Sequence, residues 1–229
     1  MYLVNSSVNE KEKTMNNNTK AMRNELMNNN MVKIAGRIDS ELAFSHEVFG
    51  EGFYTTDVVI KRLSGTEDRI PVVVSDRLID VSQGHVGQCI YVEGQLRSYN
   101  CHEGERTHLQ IFVFAQTLSL IKEEDKVMNT NLIFLNGCIC KTPVHRETPM
   151  QREITDLLLA VNRAYGKSDY LPCICWGRTS RYAADLPIGL LVKIRGRIQS
   201  REYTKQINEE LSATRTAFEV SASRVETVV

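Results

Sequence analysis

Two windows of this sequence repeat one another. VGQCIYVEGQLRS at 86–98 and IGLLVKIRGRIQS at 188–200 both open on an apolar residue and a glycine, and both meet a second glycine before polar and apolar residues alternate. Glycine falls on glycine at 87/189 and at 94/196. A duplication constrains a fold more tightly than composition does, because each copy must be one structural unit that packs against its twin. The match extends outward from these windows. GRIDS at 36–40 aligns with GCICK at 137–141, and HLQIFVFA at 108–115 aligns with TAFEVSAS at 216–223. Asp57–Pro71 aligns with Asp156–Pro172 if two residues are missing from the first copy.

Each copy reads as strands. Runs rich in apolar and β-branched residues fall at 31–42, 53–63, 70–78, 85–99 and 107–121, separated by Gly, Asp, Ser and Glu turns. The second copy repeats the order at 131–142, 153–165, 169–178, 188–203 and 216–228, although the apolar run in 153–165 also suits a helix. Thr179–Leu186 reads as a short helix or turn between the third and fourth strands. Glycine inside the first and fourth strands suits the sharp bends that close a small barrel. The expected fold class is therefore all-β, with two tandem OB-fold five-stranded barrels. A sandwich of the same strands also fits. The expected boundaries are a disordered, Asn-rich segment at 1–30, a first OB-fold at 31–121, a charged linker at 122–131 and a second OB-fold at 132–229. A short helix at Thr19–Met27 is the one ordered element the N-terminal segment could hold.

Net charge is zero, which by itself points to no polyanionic partner. The halves differ, however. Residues 33–121 carry 8 Lys+Arg against 12 Asp+Glu, and residues 132–229 carry 14 against 10. If one half meets nucleic acid, it is the second. No apolar run approaches the roughly 20 residues of a membrane span. No apolar secretion signal opens the chain, so a cytoplasmic location and reduced thiols are expected for the six cysteines. The Cys138–Cys140 and Cys173–Cys175 pairs lack the C-x₂-C spacing that turns two thiolates onto one ion, and they read as core or surface thiols. The histidines are dispersed, and no nucleophile, paired-carboxylate or phosphate-loop motif is present. Neither catalysis, a metal nor a cofactor is expected.

Tyr165–Tyr203 holds the only tryptophan, Trp176, and four of the eight tyrosines. Arginines and lysines are interleaved with the rings. On strand-like sequence this suits a surface that stacks bases and neutralises phosphates. The plainer reading is a half-buried sheet with core aromatics, or an aromatic patch covered by a partner subunit. Strand alternation places Tyr170, Ile174 and Trp176 on one face and Leu171, Cys173 and Cys175 on the other. Small apolar cysteines belong inside, so the rings point out. Arg163, Arg178, Arg181, Lys193, Arg195, Arg197, Arg201 and Lys205 lie on or beside the ring-bearing strands. Any one of them alone is an ordinary solvated charge. As a set they read as a backbone track, and about four phosphate contacts would give a salt slope near −3.

The residues from Asp156 to Tyr203 resemble the bacterial single-stranded DNA-binding proteins and the related primosomal replication protein N. The carriers are LAVNRAY ending at Tyr165, then Tyr170, then CWGR with Trp176, then GRIQSREY with Tyr203. The resemblance implies base stacking at Tyr165, Tyr170, Trp176 and Tyr203. In the first copy the same slots read Ser64, Arg69, Ser75 and Cys101, so that half is expected to keep the fold and to pack against the second half or a second chain, although Phe53, Tyr54, Tyr91 and Tyr99 leave weaker binding there open. The family's flexible, acidic-tipped tail has no match in the closing RVETVV, so recruitment through such a tail is not expected. A homodimer or higher homo-oligomer would supply the four OB-folds common in the family. The expected function is sequence-tolerant single-stranded DNA binding in replication, repair or recombination. Two alternatives are a replication-assembly module acting through protein contacts and an RNA-binding OB-fold protein.

Overall fold

The structure is a computed structural model. It describes residues 29–103, 106–123, 125, 127, 130–148, 150–206 and 212–228, with side chains described except at 102–107 and 204–215. The expected N-terminal disorder at 1–28 and the short helix at Thr19–Met27 lie outside the described residues. Asn29 and Asn30, assigned to that segment from sequence, are buried, and Asn30 opens the first strand.

The first half holds β1 (Asn30–Ile38), β2 (Ala43–Val48), β3 (Glu51–Lys61), β4 (Glu67–Ser75), β5 (Cys89–Glu103) and β6 (Arg106–Ile121). The second holds β7 (Asn131–Ile139), β8 (Val144–Glu147), β9 (Glu153–Asn162), β10 (Ser168–Trp176), β11 (Leu191–Gln206) and β12 (Ser212–Thr227), with helix α1 (Gly177–Ala184) between β10 and β11. β1 pairs with β3, β3 with β4, β4 in parallel with β6, β6 with β5, and β5 with β1. The second half repeats this circuit through β7, β9, β10, β12 and β11. Each circuit is an OB-fold barrel, and its inward residues form one apolar core that runs through both halves. β2 and β8 add a sixth strand to each half. Sequence patterning missed them because every residue in both is exposed, which leaves no alternation to read. The run at 153–165 is strand through Asn162, not helix.

At Gly94 and Gly196 neighbouring strands leave no room for a side chain. A Cβ at Gly94 would lie 2.1 Å from the Phe114 carbonyl oxygen, and one at Gly196 would lie 2.2 Å from that of Ser221. The strand register shifts beside each of them, between Glu93 and Gly94 and between Arg195 and Gly196. Only glycine lets the backbones approach this closely at a barrel bend.

The halves join through antiparallel pairing of β1 with β7. Asn30 faces Leu135, Val32 faces Ile133 and Ile34 faces Asn131. This pairing is the pattern of a two-fold axis through Val32 and Ile133, and the side chains obey it. Asn30 Nδ2 donates to Leu96 O at 2.7 Å while Leu96 N donates to Asn30 Oδ1 at 2.9 Å. Asn131 makes the same pair with Ile198, at 2.7 and 2.9 Å. Ser98 N donates to the buried Asp169 carboxylate at 2.8 Å, and Ser200 N to the buried Asp68 at 3.0 Å. Tyr170 N donates to Ser98 Oγ at 2.7 Å, and Arg69 N to Ser200 Oγ at 3.0 Å.

Two details of the repeat differ from the sequence alignment. Pro71 faces Asp57 and Pro172 faces Leu158, so the β3–β4 and β9–β10 hairpins correspond without a gap. Leu96 faces Val113 and Ile198 faces Val220, so the last strands match one residue away from the alignment read above. In both cases apolar residues sit in neighbouring positions, and similarity alone cannot choose the register. Among the described residues, no helix is long and apolar enough to cross a membrane.

Candidate nucleic-acid interface

β10 alternates as its sequence dictates. Leu171, Cys173 and Cys175 enter the core, where burial pushes the Cys175 thiol up to about 12 and Cys173 well above its ordinary value. Thiols held protonated in this way are packing groups rather than metal ligands. Tyr170 and Trp176 stand on the opposite face. The four rings singled out from sequence are all accessible: Tyr165 99%, Tyr170 47%, Trp176 37% and Tyr203 37% exposed. Tyr165 sits at the tip of the β9–β10 connection in a left-handed conformation (φ 62°).

Trp176 forms part of the wall of a groove of about 1270 Å³ that runs between the two halves. Ile154 and Ile174 line it beside the tryptophan, and the second half adds Arg146, Arg152, Arg197 and Arg201. The first half contributes Arg62 and Arg69.

These cations are in different states. Arg62 is bound in a bidentate pair to Asp68, Arg146 Nε reaches Asp156 at 2.7 Å, and Arg69 pairs with Asp39. Arg201 is 3.9 Å from Glu219. Arg152 is exposed, with no acidic partner among the described residues. Arg197 donates through Nη2 to Gln199 Oε1 at 3.2 Å, and its buried Nε has no partner. Burial, and then the nearby Arg62, lower the Arg197 pKa, while Asp68 opposes them. The Arg197 side chain lines the groove without an acidic ion-pair partner, so its guanidinium is placed to meet an anionic oxygen there.

The predicted site residues therefore separate into groups. Trp176, Arg197 and Arg201 share the groove. Arg178 and Arg181 are on α1, which starts directly after Trp176, and Arg181 Nε pairs with Glu153 at 2.9 Å. Tyr203 lies just past the groove on β11, with the Arg201 guanidinium 5.9 Å from its ring centre. Arg195 lies elsewhere, 5.1 Å over the Phe134 ring where β11 pairs with β7, and Lys193 is on the same stretch. Arg163 is tied to Asp169 at 3.4 Å, beside Tyr165 and Tyr170 rather than beside Trp176. The backbone of Lys205 is in β11, but its side chain lies outside the described residues.

Sequence reasoning missed Arg152, Arg62 and Arg69. Arg152 is in the β8–β9 connection and also lines a smaller cavity together with Trp176. Arg62 and Arg69 come from the acidic half, where net charge hid them. Among the described residues, no three His, Cys, Asp or Glu side chains converge as a metal-ligand set.

Residues 130–228 match the single-strand binding protein family. Single-stranded DNA-binding protein A of Bacillus subtilis (strain 168) is 31% identical over 103 residues, 42% of this chain. The chain spans 58% of the length of that protein. The wild-type single-stranded DNA binding protein from Thermus aquaticus superposes with a TM-score of 0.69 over 87% of this chain and 93% of its own, at 20% identity, which is a likeness of fold. Single-stranded DNA-binding protein 3 of Streptococcus agalactiae is 31% identical over 96 residues, which cover 70% of that protein and 39% of this chain. On that coverage and identity, the chain belongs to the single-strand binding protein family.

Proposed function

We propose that this chain binds single-stranded DNA without sequence preference and without catalysis, in the cytoplasm, in support of replication, repair or recombination. The observation that carries this reading is Trp176, the only tryptophan, which stands exposed in the wall of an arginine-lined groove. An indole face takes any base, because every base has a π-face, and the cations follow the backbone. Arg197, Arg152 and Arg201 hold the phosphates at this groove. Tyr203 extends the stacking surface along β11, and Tyr165 and Tyr170 extend it on the side of the first half. Arg178 and Arg181 add positive charge beside Trp176. Each chain carries two barrels, so a homodimer presents four.

The test is a titration of a labelled oligothymidylate with the intact chain and with Trp176→Ala. Loss of one stacked base is expected to weaken binding roughly 5- to 150-fold. Unchanged affinity in a variant that keeps its strand content would refute the reading. Competition by a uridine oligomer separates DNA from RNA. Equal competition would assign the groove to single strands of either kind.

A further inference from the structure

The pseudo-two-fold relation between the halves says which face each ring serves. Arg69 occupies the slot in the first half that Tyr170 occupies in the second, and it lines the Trp176 groove through its bond to Ser200. Tyr170 makes the mirror bond, to Ser98. Each half thus lends this slot to the other's face. Tyr170 belongs with the outer face of β5 and β6, and it is six residues from Trp176 along β10, about 20 Å at an extended rise.

On that face of the first half the slots of Tyr165, Tyr170, Trp176 and Tyr203 hold Ser64, Arg69, Ser75 and Cys101. The face has rings at other positions. Tyr99 stands where the second half has Arg201, Phe112 where it has Glu219 and Phe114 where it has Ser221, as the matching registers require. Tyr99 is 49% exposed and meets Phe112 edge to face, with centroids 5.8 Å apart. A hydrogen bond from Tyr99 Oη to Gln110 holds the ring in place. Phe114 continues the row against Phe53, with centroids 5.7 Å apart. Among the described residues, the arginines near this face are engaged, Arg97 and Arg163 with Asp169 and Arg77 with Glu51, and Lys167 matches Thr66 of the Trp176 groove.

We propose that Tyr99 and Phe112 of the first half, together with Tyr170, form a second base-stacking subsite, crossed by the same single strand that occupies the Trp176 groove. This rests on the single-strand reading above. The subsite supplies rings with little phosphate charge, so its contribution to binding is largely independent of salt.

The test uses the full chain and oligothymidylates of about 8 and about 32 nucleotides, below and above the span of two OB-folds. Tyr99→Ala should weaken the long oligomer at least about 5-fold, by the same factor at low and high salt, in line with the loss of one stacked base. The same variant should leave Trp176 quenching by the short oligomer unchanged, which also reports an intact fold. Tyr99→Phe should restore long-oligomer binding. In double-mutant cycles Tyr99→Ala and Tyr170→Ala should couple, while Tyr170→Ala and Trp176→Ala should multiply independently. If Tyr99→Ala does not affect the long oligomer while Trp176 is still quenched, the second subsite is refuted and the function stands. Coupling of Tyr170 to Trp176 instead of Tyr99 also refutes it. If neither oligomer quenches Trp176 or is retained, both readings fail.

Discussion

The ion-pair pattern of the groove fixes how steeply binding should depend on salt. Of the groove arginines, Arg62, Arg69 and Arg146 are neutralised by Asp68, Asp39 and Asp156. Arg152 and Arg197 have no acidic partner among the described residues, and Arg201 is loosely placed 3.9 Å from Glu219. About three cations are then available, fewer than the set of about four inferred from sequence. At about 0.7 per phosphate on a single strand, the slope of log affinity against log salt is about −2. Raising salt from about 50 to about 200 mM should weaken binding about 20-fold. Arg197→Gln should flatten the slope to about −1.4, so that the same change costs only about 7-fold. Arg195→Gln, which removes a cation lying over Phe134 outside the groove, should leave the slope as it is. Anisotropy titrations at four or more salt concentrations measure all three. Equal flattening by Arg195→Gln and Arg197→Gln would refute the division into groove and off-groove cations, as would an unaltered slope in Arg197→Gln.

The fold makes further predictions. Gly196→Ala places a methyl 2.2 Å from the Ser221 carbonyl oxygen, so a loss of about 3 kcal/mol in urea unfolding is expected. Asp169→Ala strips a buried carboxylate from Arg97, Arg163 and Ser98 N and should cost about 3–5 kcal/mol, whereas Asp156→Ala, whose pair with Arg146 is exposed, should cost about 1 kcal/mol or less. His85 is buried with Nδ1 3.0 Å from Gln88 Oε1 and Nε2 2.7 Å from Asp80 O, and these acceptors raise its pKa above 6.5. Its contribution is therefore full below about pH 6.5 and is lost as pH rises through the raised folded value. The urea midpoint of the intact chain should fall across that window, and His85→Gln should lose this fall.

The strand pattern, the duplication and the outward rings of β10 were legible because each is written in alternation or in glycine spacing. Leu171, Cys173 and Cys175 could be placed inside, and Tyr170 and Trp176 outside, from parity alone. β2 and β8 left no such trace, since both are exposed on every residue. The site was legible one strand at a time and not as an assembly. Sequence puts Tyr170 and Trp176 on one surface because they share a face of one strand. The Ser98 and Ser200 bonds then send that strand and its twin to opposite partners. Net charge misled in a similar way. It hid Arg62 and Arg69 in an acidic half, while strand membership alone grouped Arg195, which lies over Phe134, with the groove arginines.

The most direct test is quenching of Trp176 fluorescence by an oligothymidylate at low and moderate salt. One tryptophan gives the signal one origin. Strong quenching at low salt whose midpoint moves to higher oligomer concentration as salt rises is the predicted result, because it places bases on that ring and phosphates on the groove arginines. A folded chain whose tryptophan emission does not respond at low salt would contradict single-strand binding at this groove.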